Sequence, residues 1–128
     1  MTTPRYTLAK EERLSWKRYI DLLFAEGKSF VAFPLRVVYL PVESGPDVPV
    51  SMLVSVSKKK FKRAVKRNQV KRQVREAYRM RKPELTEQLA GENKKLLVAF
   101  LYIDKEIHSF REMEKAMTKA VRLLREKA

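Results

Sequence analysis

The stretch SVSKKKFKRAVKRNQVKRQVREAYR, Ser55 to Arg79, runs from the end of an apolar segment through a cluster of cations into a helical pattern. Lys66 to Met80 contains neither Gly nor Pro and reads as a helix, with Pro83 as its stop. At about 3.6 residues per turn, Arg67, Lys71, Arg75 and Arg79 fall on one i,i+4 ridge, flanked by Asn68 and Arg72. Val70, Val74, Ala77 and Tyr78 form a neighbouring apolar stripe about 100° wide, enough to dock on a core. Like charges at i,i+4 repel by ~0.2–0.5 kcal/mol per pair, and Glu76 is the only acid at hand to relieve them. A face built this way suits phosphate, because Arg forks match its oxygens and Asn reads a base or sugar edge. The preceding Ser55–Lys62 segment fits either an ordered turn holding phosphates or hydrated metal ions with its amides, hydroxyls and lysines, or a disordered basic loop.

Downstream, residues 83–94 read as a connection with a short helical turn near Leu85–Leu89, closed by Gly91. Lys95 to Ile103 is almost continuously apolar, as a central strand covered on both faces requires. Ser109-Phe-Arg-Glu112 fits a capping box opening a last helix, whose Phe110, Met113, Met117, Ala120, Val121 and Leu124 keep the helical period. Upstream, Ser15 is the expected N-cap of a helix through Glu26. Trp16, Tyr19, Ile20, Leu23 and Phe24 lie on its apolar face, and Gly27 is placed as a left-handed terminator. Phe30 to Leu40 reads as a strand with an edge or bulge at Pro34. A turn-rich segment around Gly45-Pro46-Asp47 follows, then a strand from Val50 to Val56 pairing back as a hairpin. The expected fold is a single-domain α/β (α+β) sandwich over residues 1–128. It has three helices and about four strands in the order α-β-β-α-β-α, with room for an extra strand near residues 28–34.

Composition bounds the function. The 128 residues carry a formal net charge of +14, with 29 Lys+Arg against 15 Asp+Glu. Lys58 to Lys82 holds thirteen of those cations and one acid, a net +12, which leaves +2 for the rest. A localised patch of this kind is the electrostatic footprint of a nucleic-acid site. There is no cysteine, hence no disulfide or thiolate chemistry, and a hydrophobic content of 45% excludes a disordered basic tail. No run approaches the length of a membrane span and the N-terminus is not an apolar leader, so the expectation is a cytoplasmic protein without a membrane partner. His108 is the only histidine and the three glycines are isolated, so neither a histidine acid–base pair nor a Gly-rich phosphate loop is available. Binding, rather than bond-breaking chemistry, is the expected contribution.

Ser55-Val-Ser-Lys-Lys, followed by a short basic loop and Ala64-Val-Lys-Arg-Asn-Gln-Val-Lys-Arg-Gln-Val-Arg-Glu-Ala-Tyr-Arg79, resembles the protein component of bacterial ribonuclease P. That family opens its motif helix with Arg-Asn-Arg, continues with Lys-Arg and Arg, and then has an Ala-aromatic pair. Lys10-Glu-Glu-Arg-Leu14, Phe24-x-x-Gly27 and Leu35-Arg-Val-Val-Tyr39 follow the family order upstream. Gln69 departs from the motif, standing where the third motif residue is Arg. The resemblance implies a left-handed β-α-β crossover carrying the motif helix, contrary to the usual right-handed rule.

It also implies a ribonucleoprotein endonuclease that removes the 5′ leader of precursor tRNA, with the RNA subunit as catalyst. By that resemblance the protein supplies no catalytic group and holds no cofactor at a dedicated site, magnesium being required by the RNA partner. Its partners are the catalytic RNA and precursor tRNA, not DNA. The implied RNA-binding set is Ser57, Lys58, Lys59, Lys62, Lys66, Arg67, Asn68, Lys71, Arg72, Arg75 and Arg79. A cleft between the first helix and the sheet would take the single-stranded leader, with Ile20, Phe24, Phe33, Arg36, Val37 and Tyr39 as candidates. Strand alternation puts Phe33, Leu35, Val37 and Tyr39 on one face without saying whether that face is cleft or core. A structured-RNA-binding protein of ribosomal type would share the charge and the fold class, and only the motif spacing separates the two. A helix-turn-helix DNA reader would need a helix immediately before the basic one, where a strand and a lysine loop stand instead.

Overall fold

The computed structural model describes residues 17–43 and 48–127. Expectations for Ser15, Trp16 and the Gly45-Pro46-Asp47 turn lie outside the described residues. The elements are α1 (Lys17–Glu26), β1 (Lys28–Ala32), β2 (Leu35–Val42), β3 (Val50–Val56), α2 (Ala64–Gly91), β4 (Lys95–Tyr102) and α3 (Phe110–Lys127). The four strands form one mixed sheet in the order β1-β2-β4-β3. β1/β2 and β2/β4 are antiparallel and β3/β4 parallel. This is the α+β arrangement expected, with the extra strand present: Phe30–Leu40 is two strands that reverse at Phe33-Pro34.

The expected β2–β3 hairpin does not form, because β4 lies between those strands. The physical reason is the apolar run itself. Leu96 to Phe100 are five consecutive buried residues, so β4 needs a neighbour on each edge and cover on each face. On one face Leu35, Val37, Tyr39, Met52, Val98 and Phe100 join Val70, Val74 and Tyr78 of α2 and Met113, Met117 and Leu124 of α3 in the larger core. On the other, Val38, Leu97 and Ala99 pack under Leu23, with Tyr19 and Ile20 against them.

Pro83 does not stop α2, which continues to Gly91. A proline inside a helix costs about 3 kcal/mol. Beyond it, Leu85 and Leu89 are 0% and 1% exposed, and two fully buried leucines return about 3–6 kcal/mol. Gln88 further ties the extension to α3, donating to the Arg125 carbonyl at 3.1 Å and accepting from Arg125 Nε at 2.9 Å. The helix ends on Asn93 at φ 55°, with Lys94 N–H bonded to Leu89 O and Asn93 N–H to Ala90 O, a Schellman closure. Gly27 is not left-handed as expected, since no described glycine has positive φ. Its need is space: a Cβ there would lie 2.3 Å from Leu23 O and 3.0 Å from Val38 Cγ1. The capping box forms, Glu112 N–H donating to Ser109 Oγ at 3.2 Å while the Ser109 N–H donates to Glu112 Oε1 at 3.4 Å.

Candidate nucleic-acid interface

The chain leaves β3 at Val56 and turns sharply over Ser57–Phe61. Ser57 O accepts the N–H of Lys60 and of Phe61 at 3.2 and 3.1 Å, and Ser57 Oγ accepts that of Lys59 at 3.1 Å. Phe61 is buried with its ring centroid 5.9 Å from that of Tyr102. Lys60 Nζ donates to the Ile103 carbonyl across the sheet end. The basic segment is therefore a pinned turn rather than a disordered loop. Lys58, Lys59 and Lys62 are exposed around it, and Ser57 is half-buried, its carbonyl and hydroxyl oxygen committed to the turn.

Along α2, Val70, Val74, Ala77 and Tyr78 are buried against the sheet, as their spacing predicts. Lys66, Asn68, Arg72 and Arg75 are exposed and Lys71 is half-buried beside them. The two ends of the predicted ridge differ from its middle. Arg67 Nη1 donates to Phe61 O and Lys62 O at 2.8 and 2.9 Å, so this side chain folds back to brace the lysine turn. Arg79 Nε donates to Glu76 Oε2 at 3.0 Å. That hydrogen bond holds the Glu76 carboxyl below its usual range and raises the guanidinium. The middle of the ridge, Asn68, Lys71, Arg72 and Arg75, makes no ion pair among the described residues, and it is this part that is left to meet an outside anion.

The leader-cleft candidates do not converge. Ile20 packs on the α1-covered face of the sheet, and Phe24, on the same helix, is 49% exposed. Arg36 is exposed on that same face and donates to Ser29 Oγ at 3.4 Å. Val37 and Tyr39 are 0% and 5% exposed on the opposite face, inside the core shared with α2 and α3. These two are corrected to core residues. Leu35, Val37 and Tyr39 do share one face, but it is the buried one, Val38 holds the α1 side instead, and Phe33 falls outside the alternation because the chain reverses there. Phe33 lies past the edge of that core, 59% exposed and edge-on to His108 at 5.5 Å.

Sequence reasoning missed two residues that shape this region. Gln73 Nε2 donates to the His108 carbonyl at 3.2 Å and links α2 to the β4–α3 loop. His108 itself bridges Asp104 and Glu112, its Nε2 2.6 Å from Asp104 Oδ2 and its Nδ1 3.0 Å from Glu112 Oε2. The i,i+4 spacing of both carboxylates from His108 was the available signal. Arg111, Lys115, Lys119 and Arg122 form a second exposed cationic row on the outward side of α3. No helix of the described residues is long and apolar enough to cross a membrane.

The chain is similar to known proteins in sequence and in fold. A family model described as Ribonuclease P matches residues 8–125. The ribonuclease P protein component of Porphyromonas gingivalis is 47% identical over 122 residues, 94% of this chain and 89% of its own length. That of Chlorobaculum tepidum is 39% identical over 102 residues, 74% of this chain and 66% of its own length. Among solved structures, the RNase P protein from Thermotoga maritima superposes with a TM-score of 0.68 at 25% identity, covering 88% of this chain and 96% of that one.

Proposed function

The chain belongs to the ribonuclease P protein family, and from that premise we propose that it binds the catalytic RNA and the 5′ leader of precursor tRNA. In this role it assists magnesium-dependent, RNA-catalysed removal of the leader. As a member of that family it is a holoenzyme subunit in tRNA processing and works with the RNase P RNA. The observation that carries the finer reading is the acid-free middle of the α2 ridge, Asn68, Lys71, Arg72 and Arg75, mounted on a helix whose other side is locked in the core. Exposed cations on a rigid element position phosphates without a backbone ordering cost. The lysine turn, braced by Arg67, extends the same surface toward the end of the sheet.

The division of labour follows from the side chains. Magnesium would be held by RNA oxygens and would supply the charge stabilisation of phosphodiester cleavage. On this chain the carboxylates of Asp104 and Glu112 are both taken up by His108. The leader surface supported best is the α1-side face of the sheet, with Ile20, Phe24 and Arg36 contributing an apolar wall, an exposed ring and a cation.

Reconstitution with the catalytic RNA of the same organism tests the reading. Cleavage of precursor tRNA at low magnesium is expected to be faster with the protein than without. Tight RNA binding with no gain in cleavage would instead support a structured-RNA-binding protein of ribosomal type. Lys119→Ala serves as the control for net charge, since it removes a cation from the outward side of α3 and is expected to leave the gain intact.

A further inference from the structure

Three segments meet at one end of the sheet. The Phe33-Pro34 reversal is bonded to the β4–α3 loop, Ile103 N–H donating to Pro34 O at 2.9 Å. The lysine turn reaches the same residue through Lys60 and the Ile103 carbonyl. His108 closes the group: its N–H donates to the Tyr102 hydroxyl at 3.2 Å and its carbonyl accepts from Gln73. Both imidazole nitrogens are held by carboxylates, and the Phe33 ring stands against the imidazole at an interplanar angle of 85°. Phe33 is nevertheless 59% exposed. A large aromatic backed on one side and open to water on the other, at the end of the sheet that the lysine turn reaches through Lys60 and Ile103, combines the two elements that hold unpaired nucleic acid, a stacking face and backbone cations. It differs from the α1-side surface in what backs it: Phe33 stands against His108 at the β1–β2 reversal, whereas Ile20 packs with Leu23 over Val38, Leu97 and Ala99.

We propose that Phe33 is a stacking platform for one unpaired base of the RNA partner, and that His108 is the positioning residue that fixes its ring. The inference rests on the RNA-binding role above and adds a base contact to it. The charged and titratable groups around His108 are Asp104 in the β4–α3 loop, Glu112 in α3, Tyr102 on β4 and, through the Ile103 carbonyl, Lys60.

The test is equilibrium binding of the full chain to the catalytic RNA across a salt series and between pH 6 and about 8.5. Phe33→Ala and Phe33→Leu are each expected to lose about tenfold in affinity with an unchanged salt slope, and Phe33→Trp to bind as the parent does. Parent affinity should fall as His108 loses its proton, and that pH dependence should vanish in both His108→Gln and Phe33→Leu. Parent-like binding by Phe33→Leu would overturn the stacking assignment. A pH profile surviving in Phe33→Leu would overturn the positioning role of His108. Failure of the parent chain to bind the RNA would remove the RNA-binding reading itself, a result separable from either of these.

Discussion

Arg67 Nη1 donates to the Phe61 carbonyl at 2.8 Å, so a motif arginine spends one of its nitrogens on the backbone of the turn before it. The bond, repeated to Lys62 at 2.9 Å, fastens the start of α2 to the lysine turn. The arginines of the ridge therefore divide into those that shape the surface and those that present charge.

For this reason Arg67→Ala and Arg75→Ala should behave differently. Arg75→Ala removes an exposed cation and is expected to lower the slope of log K against log salt by about one unit. Arg67→Ala should weaken binding with a smaller change of slope, because its loss loosens the turn that carries Lys58, Lys59 and Lys62. Equal slopes for the two variants would show that Arg67 reaches phosphate as directly as Arg75.

The His108 cluster sets a pH window for stability. Hydrogen bonds donated to Glu112 and then to Asp104 raise the imidazole above its ordinary 6.5. Its contribution is complete below 6.5 and is lost as pH rises through the raised folded value. The same bonds lower Glu112 and Asp104 below their ordinary 4.5 and 3.8, so their contribution holds above those values and is lost as pH falls through the lowered ones. Thermal midpoints should therefore be highest at mildly acid pH and decline toward alkaline pH, and His108→Gln should flatten that alkaline decline. An unaltered profile in the variant would mean that the cluster contributes nothing to folding.

Tyr39 separates core from cleft. At 5% exposure, with its ring centroid 5.9 Å from that of Phe30, it is expected to cost about 3–5 kcal/mol on truncation to Ala, read as a lowered denaturation midpoint. Loss of affinity should be the same for leader-bearing and mature tRNA. A loss confined to leader-bearing substrate, with stability intact, would return Tyr39 to the cleft.

Much of this was legible in the residues alone. The apolar periods of α2 and α3, the double-faced run of β4, the Ser109–Glu112 box and the spacing of cations from Ser57 to Arg79 are local properties, set by repeat lengths of the backbone. They fixed the element types, the α+β class and the address of the charge. The order of strands was not local: β4 displaced the hairpin because burial on both faces outweighs proximity in sequence. Pro83 was overruled because Leu85 and Leu89 had a partner helix to bury against. The face of the sheet that became core, and hence the fate of Val37 and Tyr39, depended on where α2 and α3 settled. The same is true of Arg67, which found its partners only once the lysine turn was built, whereas the Arg79–Glu76 pair is a local i,i+3 contact within α2. Sequence determined what each segment is and where the charge lies. Tertiary structure decided which side chains remain available, because availability is a matter of what packs against them.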